Sequence, residues 1–303
     1  MLKDRLRTSA ILIAVIAFLL WIDQGVLPAQ WTGGAALPIL VFFAAGTAWD
    51  ICSMLTASER PVHRRTVTTL TAITAASVSL PTLWPNYPDN CPIGTLGWPL
   101  LVGLFGAFLL LLVEMWLHAR RQDEAGQDAE NTASGIDAAF RGGFVLLYVA
   151  IPIALLFALR QLVEPAWGLP AVMTLIITTK SADAGAYFAG KSLGRTKLVP
   201  RLSPGKTWEG LAGGVVVSTA AAAASLAFLF PAGTAPALAW ALLLGPVLTI
   251  AGLVGDLAES LVKRQCGAKD SGDWLPGLGG VWDVTDSLLA AAAPGYLIFA
   301  AAS

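Results

Sequence analysis

The feature that most constrains this chain is its succession of long apolar runs. A helix needs roughly 20 mostly apolar residues to cross the hydrocarbon core of a bilayer. Nine stretches of the chain meet that length, near 9–27, 36–55, 67–84, 96–118, 143–163, 169–190, 210–230, 235–257 and 283–302. The third is the weakest, being rich in Thr and Ala. The expected fold class is an all-α integral membrane protein with about nine transmembrane helices. Composition agrees: 56% of the 303 residues are hydrophobic and 13% are charged, where soluble domains carry roughly 25% charged residues. That excludes a disordered chain, which needs low hydrophobicity and high net charge, and argues against a soluble enzyme. The 19 basic residues against 20 acidic ones lack the basic excess of a nucleic-acid binder, so no nucleic-acid partner is expected.

The first run reads as a span rather than a cleaved signal, because Trp21-Ile22-Asp23-Gln24 offers no small-residue cleavage site. The three cysteines, Cys52, Cys91 and Cys266, are scattered, with no CxxC and only His63 and His118 beside them. They read as unpaired thiols, not as a disulfide framework or a zinc site.

The cations test the span count. Of the 19 Lys and Arg residues, all but Arg160 and Lys180 fall before the first span or in alternate loops: Lys3 to Arg7, Arg60 to Arg65, Arg120 to Arg141, Lys191 to Lys206 and Lys263 to Lys269. Loops rich in Lys and Arg stay cytoplasmic, so the N-terminus is expected in the cytoplasm and the C-terminus outside. The segment 119–141 is polar and reads as a flexible linker. It separates an N-terminal four-helix membrane part (1–142) from a C-terminal five-helix part (143–303) expected to carry the chemistry. No internal repeat is visible, which disfavours transporters built from duplicated halves.

The N-terminal part holds few charges inside its spans. Asp50 and Glu114 lie near cytoplasmic ends and read as solvated helix ends. His63, beside Arg64 and Arg65, reads as a loop residue able to attract an anionic lipid head group.

The C-terminal part differs. Lys180, Asp183 and Tyr187 fall at i, i+3 and i+7 of an apolar run, and ionisable residues inside a membrane usually pair or line a site. Ser203-Pro204-Gly205-Lys206-Thr207 superficially suggests a P-loop, but Pro200 stands where the first glycine belongs and no strand is expected before it. It reads as a compact turn before a helix N-terminus, a place suited to an anion. Asp256, Glu259, Ser260 and Lys263 share one helix face, and Lys269-Asp270, a Gly-rich loop at 276–280, and Asp283 and Asp286 follow. Asp256, Asp283 and Asp286 can converge at one membrane depth. Hard oxygen ligands without His or Cys select Mg²⁺, and lysines beside them would neutralise phosphate. The combination reads as phosphoryl or nucleotidyl transfer. A transporter would spread polar residues through the full membrane depth, whereas here they crowd toward the cytoplasmic side.

The motifs resemble those of the phosphatidate cytidylyltransferase (CDP-diacylglycerol synthase) family. They are Ser260-Leu261-Val262-Lys263-Arg264, Lys269-Asp270, Pro276-Gly277-Leu278-Gly279-Gly280 and Asp283-Val284-Thr285-Asp286, preceded by Asp183-Ala184-Gly185-Ala186-Tyr187-Phe188 and Ser203-Pro204-Gly205-Lys206-Thr207-Trp208-Glu209-Gly210. Two positions depart: Leu278 and Val284 stand where the family usually has His and Arg. The resemblance implies that CTP and phosphatidic acid give CDP-diacylglycerol and pyrophosphate at the cytoplasmic face of a bacterial inner membrane, the first committed step of phospholipid synthesis. It implies catalytic Asp256, Lys263, Asp283 and Asp286, the three aspartates holding Mg²⁺, with K⁺ as a second cation. It further implies substrate binding by Asp183, Ser203, Lys206, Ser260, Arg264, Lys269 and Asp270, and it leaves room for a homodimer. A CTP-dependent polyprenol or lipid kinase, or a related CDP-lipid synthase, is the alternative.

Overall fold

A computed structural model describes residues 34–303 except 61, 85, 89–90, 126–129 and 164, together with residues 7, 8, 10, 11, 14, 15, 18 and 22. The expected first span, 9–27, therefore lies largely outside the described residues. The described chain is mostly helical: α1 (Ala36–Ala57), α2 (Arg64–Ala76), α3 (Gly94–Ala125), α4 (Glu130–Arg160), α5 (Pro165–Leu193), α6 (Trp208–Phe228), α7 (Ala241–Gln265) and α8 (Trp282–Ala302). A 3₁₀ turn (Ser77–Ser79) and a last helical turn (Leu80–Leu83) prolong α2.

Among the described residues, 7 helices are long and apolar enough to cross a membrane. They match the expected spans from the second to the fifth and from the seventh to the ninth. The expected sixth span coincides with α5, which is long enough at 29 residues but carries Lys180, Asp183 and Lys191 and is not among the seven.

Two local expectations are corrected. The stretch read as a linker is largely helical, because α3 runs on to Ala125 and α4 already starts at Glu130; its Ala, Glu, Gln and Arg are good helix formers. The stretch read as a compact turn is a strand. β1 (Lys197–Val199) and β2 (Ser203–Thr207) form an antiparallel hairpin, Lys197 opposite Thr207 and Val199 opposite Ser203. The hairpin leads straight into α6, whose first turn is capped by the Thr207 hydroxyl accepting from Gly210 N at 3.0 Å. Both carboxylate oxygens of Glu209 accept from Thr196 N, at 3.1 and 3.2 Å, and tie the hairpin's entry to the same turn.

Packing groups the chain into two units, residues 1–154 with 266–282, and residues 155–265 with 283–303. In the first, Val67, Val78, Val145, Leu146 and Val149 are buried in the core. Gly103 lets α3 approach α4, since a Cβ there would lie 2.9 Å from Leu147. Asp50 and Glu114 are not solvated helix ends. Asp50 is 1% exposed and accepts from the backbone N–H of Val281 at 2.6 Å and Trp282 at 3.2 Å. Glu114 is buried and pairs with His63 Nε2 at 2.8 Å, so His63 is a helix-entry residue with a carboxylate partner. A carboxylate survives inside a helical bundle only where donors meet it, and both have found donors.

The second unit is held by small residues and hydroxyls. Gly185 on α5 faces Val217 on α6, and Gly214 on α6 faces the Ala182 carbonyl, the close approach that small residues permit between membrane helices. The Ser218 and Thr249 hydroxyls lie 2.7 Å apart between α6 and α7, and Ser218 Oγ also donates to the Gly245 carbonyl at 3.1 Å. At its opposite end Trp167, Phe230 and Phe299 pack edge-on and stacked, and Trp167 Nε1 donates to the Thr234 carbonyl at 3.0 Å.

A methyl at Gly245 would sit 2.7 Å from the backbone nitrogen of Thr219. Gly245→Ala should therefore destabilise the protein by roughly 1–3 kcal/mol, read as a lowered thermal midpoint in detergent. Gly205→Ala, with nothing within 4 Å of the added carbon, should leave the midpoint unchanged.

Candidate active site

The second unit encloses a cavity of about 700 Å³, of a size that holds a nucleotide. Five elements supply its charged wall: Lys180, Asp183 and Lys191 from α5, Lys197 from β1, Lys206 from β2, Asp256, Glu259 and Lys263 from α7, and Asp283 and Asp286 from α8. Helical periodicity explains why each set faces inward together, for i, i+3 and i+7 lie on one face. Asp283 and Asp286 also lie in the first turns of α8, where the helix dipole favours negative charge.

The charges interlock across elements. Lys206 Nζ meets Asp256 Oδ2 at 2.6 Å, joining the hairpin to α7. Lys263 Nζ donates to Glu259 Oε1 at 3.0 Å on its own helix and to Asp283 Oδ1 at 2.6 Å on α8. Lys180 was expected to serve Asp183. It keeps that i+3 ion pair and in addition reaches α8, donating to Ser287 Oγ at 2.8 Å and the Val284 carbonyl at 3.0 Å. Asp183 and Asp286 stand further off, at 3.8 and 3.9 Å. Close helix approach makes this reach possible: a Cβ on Gly255 of α7 would collide with the Asp286 carbonyl of α8.

Of the residues singled out in the sequence, Asp183, Ser203, Lys206, Asp256, Lys263, Asp283 and Asp286 all line this cavity. Ser260 and Arg264 are not among its lining residues, and Arg264 is exposed on α7. Lys269 and Asp270 are exposed in the 266–282 segment, which packs with the first unit.

The acidic grouping differs from the one expected. One oxygen each from Asp256, Glu259 and Asp286 lie within 4.8 Å of one another, while Asp283 is taken up by Lys263. Glu259, read from the sequence as sharing the face of Asp256 and Lys263, was given no catalytic, binding or metal role there. Its signal was present, since it stands three residues after Asp256 on the same face, but its partners on α8 could not be foreseen. Three carboxylates with no nitrogen or sulfur donor form the ligand chemistry of a hard divalent cation. Lysines that already face carboxylates across the same cavity can bind phosphate oxygens. A site of this composition can hold a polyphosphate and its cation together.

The comparison with known proteins agrees with that chemistry. Residues 3–302 match the cytidylyltransferase family. The chain is similar to the phosphatidate cytidylyltransferase of Brucella suis, 48% identical over 135 residues that make up 44% of this chain and 48% of the relative. It is similar to that of Pseudomonas aeruginosa, 47% identical over 121 residues, 40% of this chain and 44% of the relative. It is similar to that of Mycobacterium leprae, 39% identical over 176 residues, 58% of this chain and 53% of the relative. The chain thus spans about half the length of the curated relatives it matches. With the family match running over nearly every residue, the chain belongs to the cytidylyltransferase family.

Proposed function

We propose that this protein is a phosphatidate cytidylyltransferase, converting CTP and phosphatidic acid to CDP-diacylglycerol and pyrophosphate. The observation that carries the reading is the cavity in which Lys206, Lys263, Asp256, Glu259, Asp283 and Asp286 meet, in a chain that belongs to the cytidylyltransferase family. An oxygen of the lipid phosphate attacks the α-phosphorus of CTP. A new phosphorus–oxygen bond forms, the bond to the oxygen bridging the α- and β-phosphates breaks, and pyrophosphate leaves.

Roles follow from charge. Lys206 and Lys263 bind phosphate oxygens of CTP, helped by Ser203, and with Ser260, Arg264, Lys269 and Asp270 assigned to substrate binding by their motif positions. Each lysine exchanges a carboxylate for a phosphate, so binding changes the partner of a charge without stranding it. Asp183 lines the same cavity, where Lys180 ties its helix to α8. Asp256 and Asp286, with Glu259 beside them, are the ligands proposed for Mg²⁺, and Asp283 is the fourth carboxylate of the set. Bound there, Mg²⁺ would neutralise triphosphate charge and polarise the phosphorus under attack; a second cation, K⁺, is proposed with it.

We further propose nine spans, the segment 9–27 and α5 adding to the seven apolar helices, with the N-terminus in the cytoplasm and the C-terminus outside. The cation-rich loops support that orientation and an active site facing the cytoplasm from a bacterial inner membrane. The division into 1–142 and a catalytic part 143–303 is supported by the cavity's lining, all of which falls after residue 143.

The deciding experiment gives purified protein Mg²⁺, phosphatidic acid and CTP labelled at the α or the γ phosphate. Label at the α position should enter lipid, and label at the γ position should leave as pyrophosphate. Transfer of the γ label to lipid would instead make the protein a kinase.

Asp256→Asn, Asp283→Asn and Asp286→Asn should each cost on the order of 10²-fold or more in turnover while the protein stays folded. Asp256→Asn and Asp286→Asn should also raise the Mg²⁺ concentration for half activation. Near-normal turnover in these variants would remove the metal assignment.

Leu278 lies half-buried in a turn closed by its own backbone, with Leu278 N and Gly279 N donating to the Leu275 carbonyl at 2.8 and 3.0 Å. Leu278→His should keep turnover within about threefold of the parent, a difference below 1 kcal/mol. A collapse would show that the loop has packed around leucine.

A further inference from the structure

We infer that Asp50, on α1 in the N-terminal part of the chain, is a positioning residue for the active-site end of α8. Its carboxylate oxygen Oδ2 accepts from Val281 N at 2.6 Å and Trp282 N at 3.2 Å. Val281 immediately precedes α8 and Trp282 is its first residue, and the next residue is Asp283, the partner of Lys263. The first N–H groups of a helix have no partner within it, and an anion among them is favoured by charge and dipole together. Asp50 is therefore an N-terminal anchor brought from a helix more than 200 residues away in sequence.

The surroundings are shaped to this carboxylate. A Cβ on Gly272 would lie 2.6 Å from Asp50 Oδ1, and a Cβ on Gly280 would strike Asp50 Oδ2 and Ser271 Oγ. Gly46, one turn before Asp50, gives Val281 its room, since a Cβ there would lie 2.7 Å from the Val281 side chain. The neighbouring residue Trp49 packs edge-on against Trp274 at 6.2 Å between centroids, and Arg64 lies 3.9 Å over its ring. Two turns further on, at the C-terminal cap of α1, Ser58 Oγ donates to Cys266 Sγ at 3.4 Å. The whole segment 266–282 consequently packs with the first unit, although it connects α7 and α8, the two helices that carry Asp256, Glu259, Lys263, Asp283 and Asp286. Asp50 is the carboxylate that bonds that segment's last two amides, and it gives the N-terminal part a task in the chemistry without touching substrate.

This inference rests on the cytidylyltransferase reading for its activity measurement and on hydrogen exchange for a measurement independent of it. Asp50→Asn is nearly isosteric, retains one acceptor and loses the charge. It should lower kcat roughly tenfold, leave KM for CTP and lipid within about twofold, and speed exchange of the 281–282 amides, with the folded fraction unchanged. Gly280→Ala, which displaces the same carboxylate without altering a charge, should reproduce the kcat loss. Asp50→Glu, with the charge restored on a longer arm, should recover part of it. Unchanged exchange at 281–282 in Asp50→Asn, or wild-type kcat per folded molecule in both Asp50→Asn and Gly280→Ala, would overturn the inference. If Asp50→Asn does not fold, Gly280→Ala alone decides on both readouts. If the wild type is inactive with CTP and every lipid phosphate, the assigned reaction fails and exchange alone decides the anchor.

Discussion

The bridge made by Lys263 is the interaction on which the second unit depends. Its ammonium binds Glu259 on its own helix and Asp283 on the next, with all three side chains between 4% and 17% exposed. Deleting one partner of a buried ion pair costs about 3–5 kcal/mol, because the other charge is left without compensation. The lysine and the two acids therefore hold α7 against α8 only as a set. Lys206 with Asp256, and Lys180 with Ser287 and the Val284 carbonyl, extend the same logic to the hairpin and to α5. Each cross-link joins a different pair of elements around one cavity.

That arrangement is built for exchange of partners. A cavity wall in which lysines face carboxylates is near neutral by itself, and a triphosphate arriving with a divalent cation presents the same charges in the opposite roles. In the proposed reaction lysines would take phosphate and carboxylates would take the metal, with little charge uncovered on the way. Preorganised charge of this kind is the main source of catalysis in phosphoryl and nucleotidyl transfer. The glycines make the geometry possible. At Gly255 a side chain would collide with the Asp286 backbone, and at Gly185 and Gly214 it would separate α5 from α6. Polar groups could not span wider gaps between these helices.

The loop before α8 shows how local and distant causes divide. Gly277 and Gly279 take φ values of +81° and +94°, where a side chain would be strained, so the turn at 275–279 is dictated by its own residues. Where the turn is held is decided elsewhere, by Asp50 and Trp49 on α1 and by Ser58 just after it. Local sequence contains no sign of that attachment. Asp50 looked like a helix end in water because hydropathy along one helix does not show what another segment brings to it.

Much of the protein was legible in its sequence, and the reason is physical. Apolar length reports membrane crossing directly, because the bilayer imposes one thickness on every helix. Spacing of three, four and seven residues reports which side chains share a helix face, and so Asp256 with Lys263, and Asp283 with Asp286, were recognisable as sets. Helix-forming composition alone did not mark 119–141 as helix, and the hairpin at 197–207 was hidden because short strands have no long-range pattern. Tertiary structure alone decided which faces meet. It brought Glu259 into the acidic cluster with Asp256 and Asp286, gave Asp283 to Lys263, turned Lys180 toward α8, and placed Asp50 at the amides of Val281 and Trp282. Periodicity assigns a residue to a face, but the partner across the gap depends on helix packing, and packing here is governed by glycines, hydroxyls and charges whose counterparts lie far away in the chain.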